Sequence, residues 1–303
     1  MAHEETVYDA LDHAHGGEGQ WAFGTGFDDP LAGVDTTVPD GIDPADLGVY
    51  CLMLGDDALV LCQRLTQWAT NAPELEEEVA LANSGLDLLG QARLLLARAG
   101  SVGVLGRSRE RATDSIPDED ALAYFRDADE FRNTALAEAA NGDFARTMVR
   151  LLVASAWRLA LFTRLRTSRD PVLAAIAAKG VHELTYHRDH AARWLLRLGD
   201  GTPESHRRAQ DAVDVVWPLT ADLFTATDVE RRLVEAGVAV DPAELRDEVT
   251  GVLTMVVERA TLTVPAWPAD AAPTGRLGQH GPELTALLAD LQGLARQHPA
   301  ATW

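Results

Sequence analysis

Residues 72–100 read APELEEEVALANSGLDLLGQARLLLARAG, and this stretch decides the fold. Ala72-Pro73-Glu74 opens a helix. Glu74, Glu76, Glu77 and Glu78 load its first turn, where negative charge suits the positive end of the helix dipole. Ala and Leu dominate the remainder and lose little on entering a helix. Gly100 supplies the stop. Inside the helix, Asn83, Asp87 and Gln91 follow i, i+4, i+8 spacing, which predicts one polar stripe. Leu81, Leu86, Leu88, Leu89 and Leu95 surround it.

The pattern repeats on both sides. Upstream, Asp43-Pro44 gives an N-cap followed by proline at the first helical position, and a helix runs to about Thr70. Downstream, residues 100–117 form a Gly/Arg/Ser-rich connection. A shorter helix covers 118–126 and extends irregularly toward Ala139. Asn141-Gly142-Asp143 breaks the chain before a third long helix over 144–167. Ser168-Arg169-Asp170-Pro171 caps a fourth, which ends at Gly199-Asp200-Gly201. Thr202-Pro203-Glu204 opens a fifth that reaches Trp217-Pro218, where a kink is expected. Further helices fit 228–236, 242–262 and 283–296. Alternating period-2 segments are almost absent, so no sheet is expected. Two antiparallel hairpins of long helices joined by a long crossover predict an all-α, ferritin-like four-helix bundle with additional C-terminal helices, over residues 44–303. Residues 1–43, rich in Gly and acids and free of Arg and Lys, form an acidic extension expected to be loosely packed. Its His3, His13 and His15 are read as scattered solvated histidines.

Composition narrows the function. The formal net charge of −21 disfavours nucleic acid and anionic membranes, and Lys179 is the only lysine. No long apolar run and no basic-then-apolar N-terminus appear, which points to a cytoplasmic protein. Cys51 and Cys62 lie about three turns apart on one helix, too far for a disulfide. They are read as reduced core residues. Phosphate-loop, nucleophile-turn and dinucleotide motifs are missing.

A ferritin-like bundle invites a test for a di-iron centre. Such a centre needs a carboxylate from each of four helices and two Glu-x-x-His pairs. The second helix offers Asp87, but three residues on stands Gly90, and the helix has no histidine. The fourth helix has Glu183-Leu184-Thr185-Tyr186-His187, with Tyr186 at the third position and histidine at the fourth. His182 and His190 fall outside the register. The first helix offers Asp56 and Asp57. The third helix contains no Asp or Glu between Phe144 and Thr167. Asp87, Gln91, Glu183, Tyr186 and His187 are therefore the positions of a degenerate site, with no catalytic, cofactor-binding or metal residue assigned. The same residues, if buried and facing one another, would satisfy each other as a hydrogen-bonded network.

Several segments resemble a known family. Gln63-Arg64-Leu65, Ala72-Pro73-Glu74-Leu75-Glu76 and Ala80 through Arg93 are similar to the C-subunit family of the phenylacetyl-CoA epoxidase complex. So are Leu161 to Leu165, Ser168 to Pro171, Glu183 with Tyr186-His187, Trp194 through Thr202, and the ending from His280-Gly281-Pro282 to Trp303. The resemblance covers about residues 47–303. It implies a ferritin-like structural subunit that carries no cofactor itself and supports a catalytic A subunit holding the di-iron centre. A small bridging B subunit completes a hetero-oligomer that epoxidises the ring of phenylacetyl-CoA in aerobic phenylacetate breakdown. Two other readings stay open: an active di-iron oxygenase subunit, and a free-standing helical acyl-CoA-binding protein. For the last, Arg107, Arg109 and Arg111 are the candidate phosphate partners. The expected partner-binding face comes from the first two long helices, 44–70 and 74–99.

Overall fold

The structure is a computed structural model that describes residues 31, 33–113 and 116–301. The chain divides between Ala32 and Gly33, and the second unit, Gly33–Trp303, holds all the helices named below. Expectations for residues 1–30, with His3, His13 and His15, lie outside the described residues, as does Trp303. Among the described residues there is no strand.

Four long helices form the bundle: α1 (Pro44–Ala69), α2 (Leu75–Ser101), and, after the crossover, α6 (Phe144–Leu165) and α7 (Pro171–Gly199). Their starts follow local chemistry. The carboxylate of Asp43 accepts from Ala45 N at 2.9 Å, that of Asp143 from Arg146 N at 3.0 Å, and that of Asp170 from Leu173 N at 2.8 Å. Each satisfies an amide the helix itself leaves unpaired. α1 packs along α2, α6 along α7, and α2 meets α7 between the hairpins. Gly180 permits the close approach of α6 and α7, because a Cβ there would lie 2.7 Å from the Phe162 ring.

The crossover holds three short helices, α3 (Ser108–Arg111), α4 (Asp118–Tyr124) and α5 (Ala135–Glu138). Four more follow: α8 (Pro203–Val216), α9 (Asp228–Glu235), α10 (Arg246–Arg259) and α11 (Pro282–Gln297). The expected kink at Trp217-Pro218 takes another form. α8 stops at Val216, and Trp217–Thr220 continues as a 3₁₀ turn, since Pro218 has no amide to extend the α-helical ladder. Similarly, the expected helix 242–262 divides into a 3₁₀ turn, Pro242–Leu245, followed by α10.

Part of the acidic extension is tied to the bundle. Ile42 is buried, the carbonyl of Thr36 accepts from Arg98 at 2.5 Å, and that of Asp40 from Arg169 at 3.2 Å. Both cysteines are free and buried, as expected, and burial pushes their thiols up, that of Cys51 most. The Arg107, Arg109 and Arg111 cluster is paired with acids of the same chain. Arg107 pairs with Asp129 and Glu130, Arg109 with Asp118, and Arg111 with Asp127 and Glu130. These arginines fasten the loop to the crossover, and their own carboxylates already fill the role a phosphate would take. No described helix is long and apolar enough to cross a membrane.

The segment that leads into α11 is fastened to the crossover by Glu138 and His280, with His280 Nδ1 2.6 Å from Glu138 Oε2. Glu138 Oε1 accepts from Gly281 N at 2.9 Å, and His280 Nε2 faces the carbonyl of Phe131 at 3.0 Å. Both ring nitrogens thus meet acceptors, which favours the imidazolium. Burial opposes the charges on both groups. The hydrogen bonds outweigh it, raising His280 and lowering Glu138 from their ordinary values of 6.5 and 4.5. The signs differ. His280 contributes fully below 6.5 and loses its contribution as pH rises through its raised value. Glu138 contributes fully above 4.5 and loses its contribution as pH falls through its lowered value. Hydrogen exchange at Gly281, corrected for base catalysis, should therefore be slowest between these two values and accelerate on alkalinisation. His280→Ala should remove that acceleration. Equal pH dependence in both proteins would show that the pair does not hold this segment.

Candidate functional site

The centre of the bundle is where a ferritin-like protein would place two metals, so its donor set decides the chemistry. α2 and α7 supply the polar residues that the sequence singles out. Gln91 is buried and donates through Nε2 to Glu183 Oε2 at 2.9 Å. His187 is fully buried, with Nε2 3.0 Å from Asp87 Oδ2. The carboxylate leaves Nε2 as the protonated nitrogen, so Nδ1 faces the interior without a partner. One turn further along, His190 Nε2 lies 3.1 Å from Glu77 Oε2, off the hydrogen-bond direction. These contacts cross from one hairpin to the other.

The network differs from the expected one at its outer edge. The Asp87 side chain is 38% exposed, Asn83 is exposed, and Tyr186 points to solvent, stacked on His190 with ring centroids 5.8 Å apart. Glu183 is near the surface as well, 3.6 Å from the ammonium of Lys179. The polar stripe of α2 therefore runs from solvent at Asn83, through Asp87, to the core at Gln91.

At the core end stands a residue that the sequence reading passes over. Arg158, from the acid-free helix α6, is buried. Its Nε donates to Gln91 Oε1 at 2.9 Å and its Nη1 to the carbonyl of Leu54 at 3.0 Å. The guanidinium also lies 4.5 Å over the Phe162 ring. Burial pulls Arg158 down to about 10, with Asp57 and Glu183 acting in the opposite direction, so it stays cationic at neutral pH. Beside it is a cavity of about 20 Å³ lined by Asp57, Leu88, Trp157 and Arg158 among others. That is room for about one water and too little for an organic ligand.

The two central acids of α1, Asp56 and Asp57, are already committed. Asp56 pairs with Arg126, and its Oδ2 accepts from Arg132 N at 2.8 Å. Asp57 Oδ2 accepts from Arg276 Nη2 at 2.7 Å, and its Oδ1 from Thr134 N at 2.8 Å. Each carboxylate is buried and held by a guanidinium and a backbone amide.

This donor set does not fit a di-iron centre. Two iron ions require several anionic carboxylates facing one another. Here α1 gives both of its central acids to arginines, α6 places a cation at the centre, and α7 directs its one central carboxylate, Glu183, to an amide. A guanidinium among the donors repels a second cation instead of binding it. The network can fix the register of four helices. The signal for Arg158 was present in the sequence as an arginine in the middle of an apolar run.

The surface groove beside α4 is a poor fit to an acyl thioester. It measures about 570 Å³ between α4 and α11 and is lined by Ile116, Tyr124, Phe125, Leu294 and His298, and its one carboxylate, Asp120, would repel the phosphates of CoA.

Comparison with known proteins agrees with this architecture. Residues 37–303 match the family described as phenylacetic acid catabolic protein. The chain is 44% identical over 257 residues to the C subunit of 1,2-phenylacetyl-CoA epoxidase from Escherichia coli (strain K12), a match covering 85% of this chain and 99% of the relative. A match of that extent leaves no part of the bundle unaccounted for, and the chain belongs to the phenylacetic acid catabolic protein family.

Proposed function

We propose that this chain is the non-catalytic structural subunit of a phenylacetyl-CoA epoxidase-type complex, supporting a di-iron catalytic A subunit in a hetero-oligomer that includes a small bridging B subunit. The single observation that carries the non-catalytic half of this reading is Arg158, a buried cation hydrogen-bonded to Gln91 where metal-binding carboxylates would converge. The epoxidase half rests on the name of the Escherichia coli relative and on the extent of the match to it. The readings as an active di-iron subunit and as an acyl-CoA-binding protein have less support. The first lacks a set of facing carboxylates, and the second would place the phosphates of CoA beside Asp120 in the groove between α4 and α11.

The test is co-expression with a di-iron A-type subunit. That subunit should be soluble and turn over phenylacetyl-CoA together with this chain, and be unstable or inactive without it. The chain purified alone should carry well under one iron. Two stoichiometric irons bound through Asp87, Glu183 and His187 would overturn the non-catalytic assignment. Normal turnover by the A-type subunit alone would overturn the supporting role.

A further inference from the structure

Of the two helices expected to form the partner-binding face, α1 is accessible only toward its ends. From Leu47 to Leu65 that helix is buried around its circumference, with Val49 and Gln63 alone partly accessible. α2 is different. Leu81, Leu88 and Leu95 are buried, and Ser84 and Gln91 are buried with them. The side of α2 opposite those residues carries Leu75, Val79, Ala82, Leu86 and Leu89, all exposed. The four large ones are 70%, 52%, 63% and 42% accessible. They account for four of the nine large apolar side chains exposed among the described residues, whereas Met255, Leu277 and Leu294 each stand alone.

The spacing of the row is 4, 3, 4, 3, the period of a helix-to-helix seam rather than of scattered surface residues. From Leu75 to Leu89 it runs about 21 Å along the helix, at 1.5 Å per residue. Its flanks on α2 are acidic, and Arg93, paired with Glu119, stands one turn beyond Leu89 at its far end. Glu76 and Asp87 flank it on the side of α7, and Glu78 flanks it on the other side. A second copy of this chain carries the same net charge of −21, and like charges of that size oppose its pairing here. A helix with an apolar 3–4 seam and Arg or Lys along its margins would match both the row and its borders.

We infer that the outward row Leu75, Val79, Ala82, Leu86 and Leu89 of α2 receives such a basic-edged apolar helix from the catalytic subunit. This rests on the proposed function, and the experiment separates the two. Affinity for the co-expressed A-type subunit is measured for the full wild-type chain, for Leu86→Glu/Leu89→Glu, and for the edge reversal Glu76→Lys/Glu78→Lys. Leu294→Glu, on a distant helix, serves as the control. Circular dichroism and melting check each fold, and the edge reversal is confined to the first turn of α2, where Glu76 is exposed and Glu78 partly accessible.

Both seam variants should lose about tenfold or more in affinity, with folding and the control unchanged. The edge reversal should also flatten the salt dependence of binding. Wild-type affinity in either seam variant overturns the inference and leaves the proposed function standing. If the wild-type chain does not bind the A-type subunit at all, the proposed function fails first. If it is instead a dimer that Leu86→Glu/Leu89→Glu converts to monomer, with affinity for the A-type subunit intact, the row is a self-interface and the inference is wrong.

Discussion

Arg158→Ala is expected to destabilise the chain by about 3–5 kcal/mol, the range for stranding partners of a buried charge together with emptying core volume. The substitution removes the donors to Gln91 Oε1 and Leu54 O, and the cation over Phe162. It also leaves Asp57 and Glu183 without their share of positive charge. Arg158→Met keeps much of the volume and should cost less, about 1–3 kcal/mol, mostly for unsatisfied acceptors. Adding Gln91→Leu should recover most of that loss, because replacing both partners of a buried polar contact by apolar groups can be nearly neutral. Urea midpoints at constant slope would give this order. A cost below about 1 kcal/mol for Arg158→Ala would mean that water reaches the site and that the network does not hold the hairpins together. Epoxidase turnover lost by an Arg158 variant whose folding and assembly are intact would point to a chemical role for the network and against a purely structural one.

The long helices were legible because their boundaries are local. Asp43, Asp143, Asp170 and Thr202 each cap the helix that follows within three residues, and proline marks three of those starts. The crossover length then suggested the bundle. The degenerate site was half legible. Asp87, Gln91, Glu183 and His187 do face one another across α2 and α7, as their positions on the two helices allowed. Gln91 and His187 are buried, whereas Asp87 reaches solvent because i, i+4 spacing drifts by about 40° per step on a helix of 3.6 residues per turn. From Asn83 to Gln91 that drift carries the stripe from solvent to core. The partners of the buried charges were not legible. Asp56 meets Arg126 across 70 residues and Asp57 meets Arg276 across 219, and no periodicity links positions so far apart. One clue lay in the composition of the helices: α1 has two acids in an apolar run, and α6 has Arg150 and Arg158 in another without any acid. Buried charges of one sign on one element call for the other sign elsewhere.

The second large effect is expected at Asp57. Its carboxylate holds Arg276 from the C-terminal segment and the amide of Thr134 from the crossover, so three distant parts of the chain converge on one buried group. Arg276 also donates at 2.7 Å to the carbonyls of Met53 and Arg132. Burial opposes its charge, yet Asp57 and other acids nearby outweigh that and hold the guanidinium above its ordinary value. Asp57→Ala removes the anion and leaves the guanidinium in place, with about 3–5 kcal/mol lost as a result. Asp57→Leu with Arg276→Met should be milder than either single change to alanine, since neither charge is then stranded. The single variant should also free the segment around Gly275–Leu277, read as faster amide exchange and earlier proteolysis there than in α6 or α7. If unfolding of Asp57→Ala stays a single transition with wild-type protection in that segment, the clamp is not what fastens the C-terminal helices to the bundle. The expected outcome is local release before global unfolding. The ion pair and hydrogen bonds of the Asp57 carboxylate join that segment and the crossover to α1, whereas the packing within the two hairpins does not depend on them.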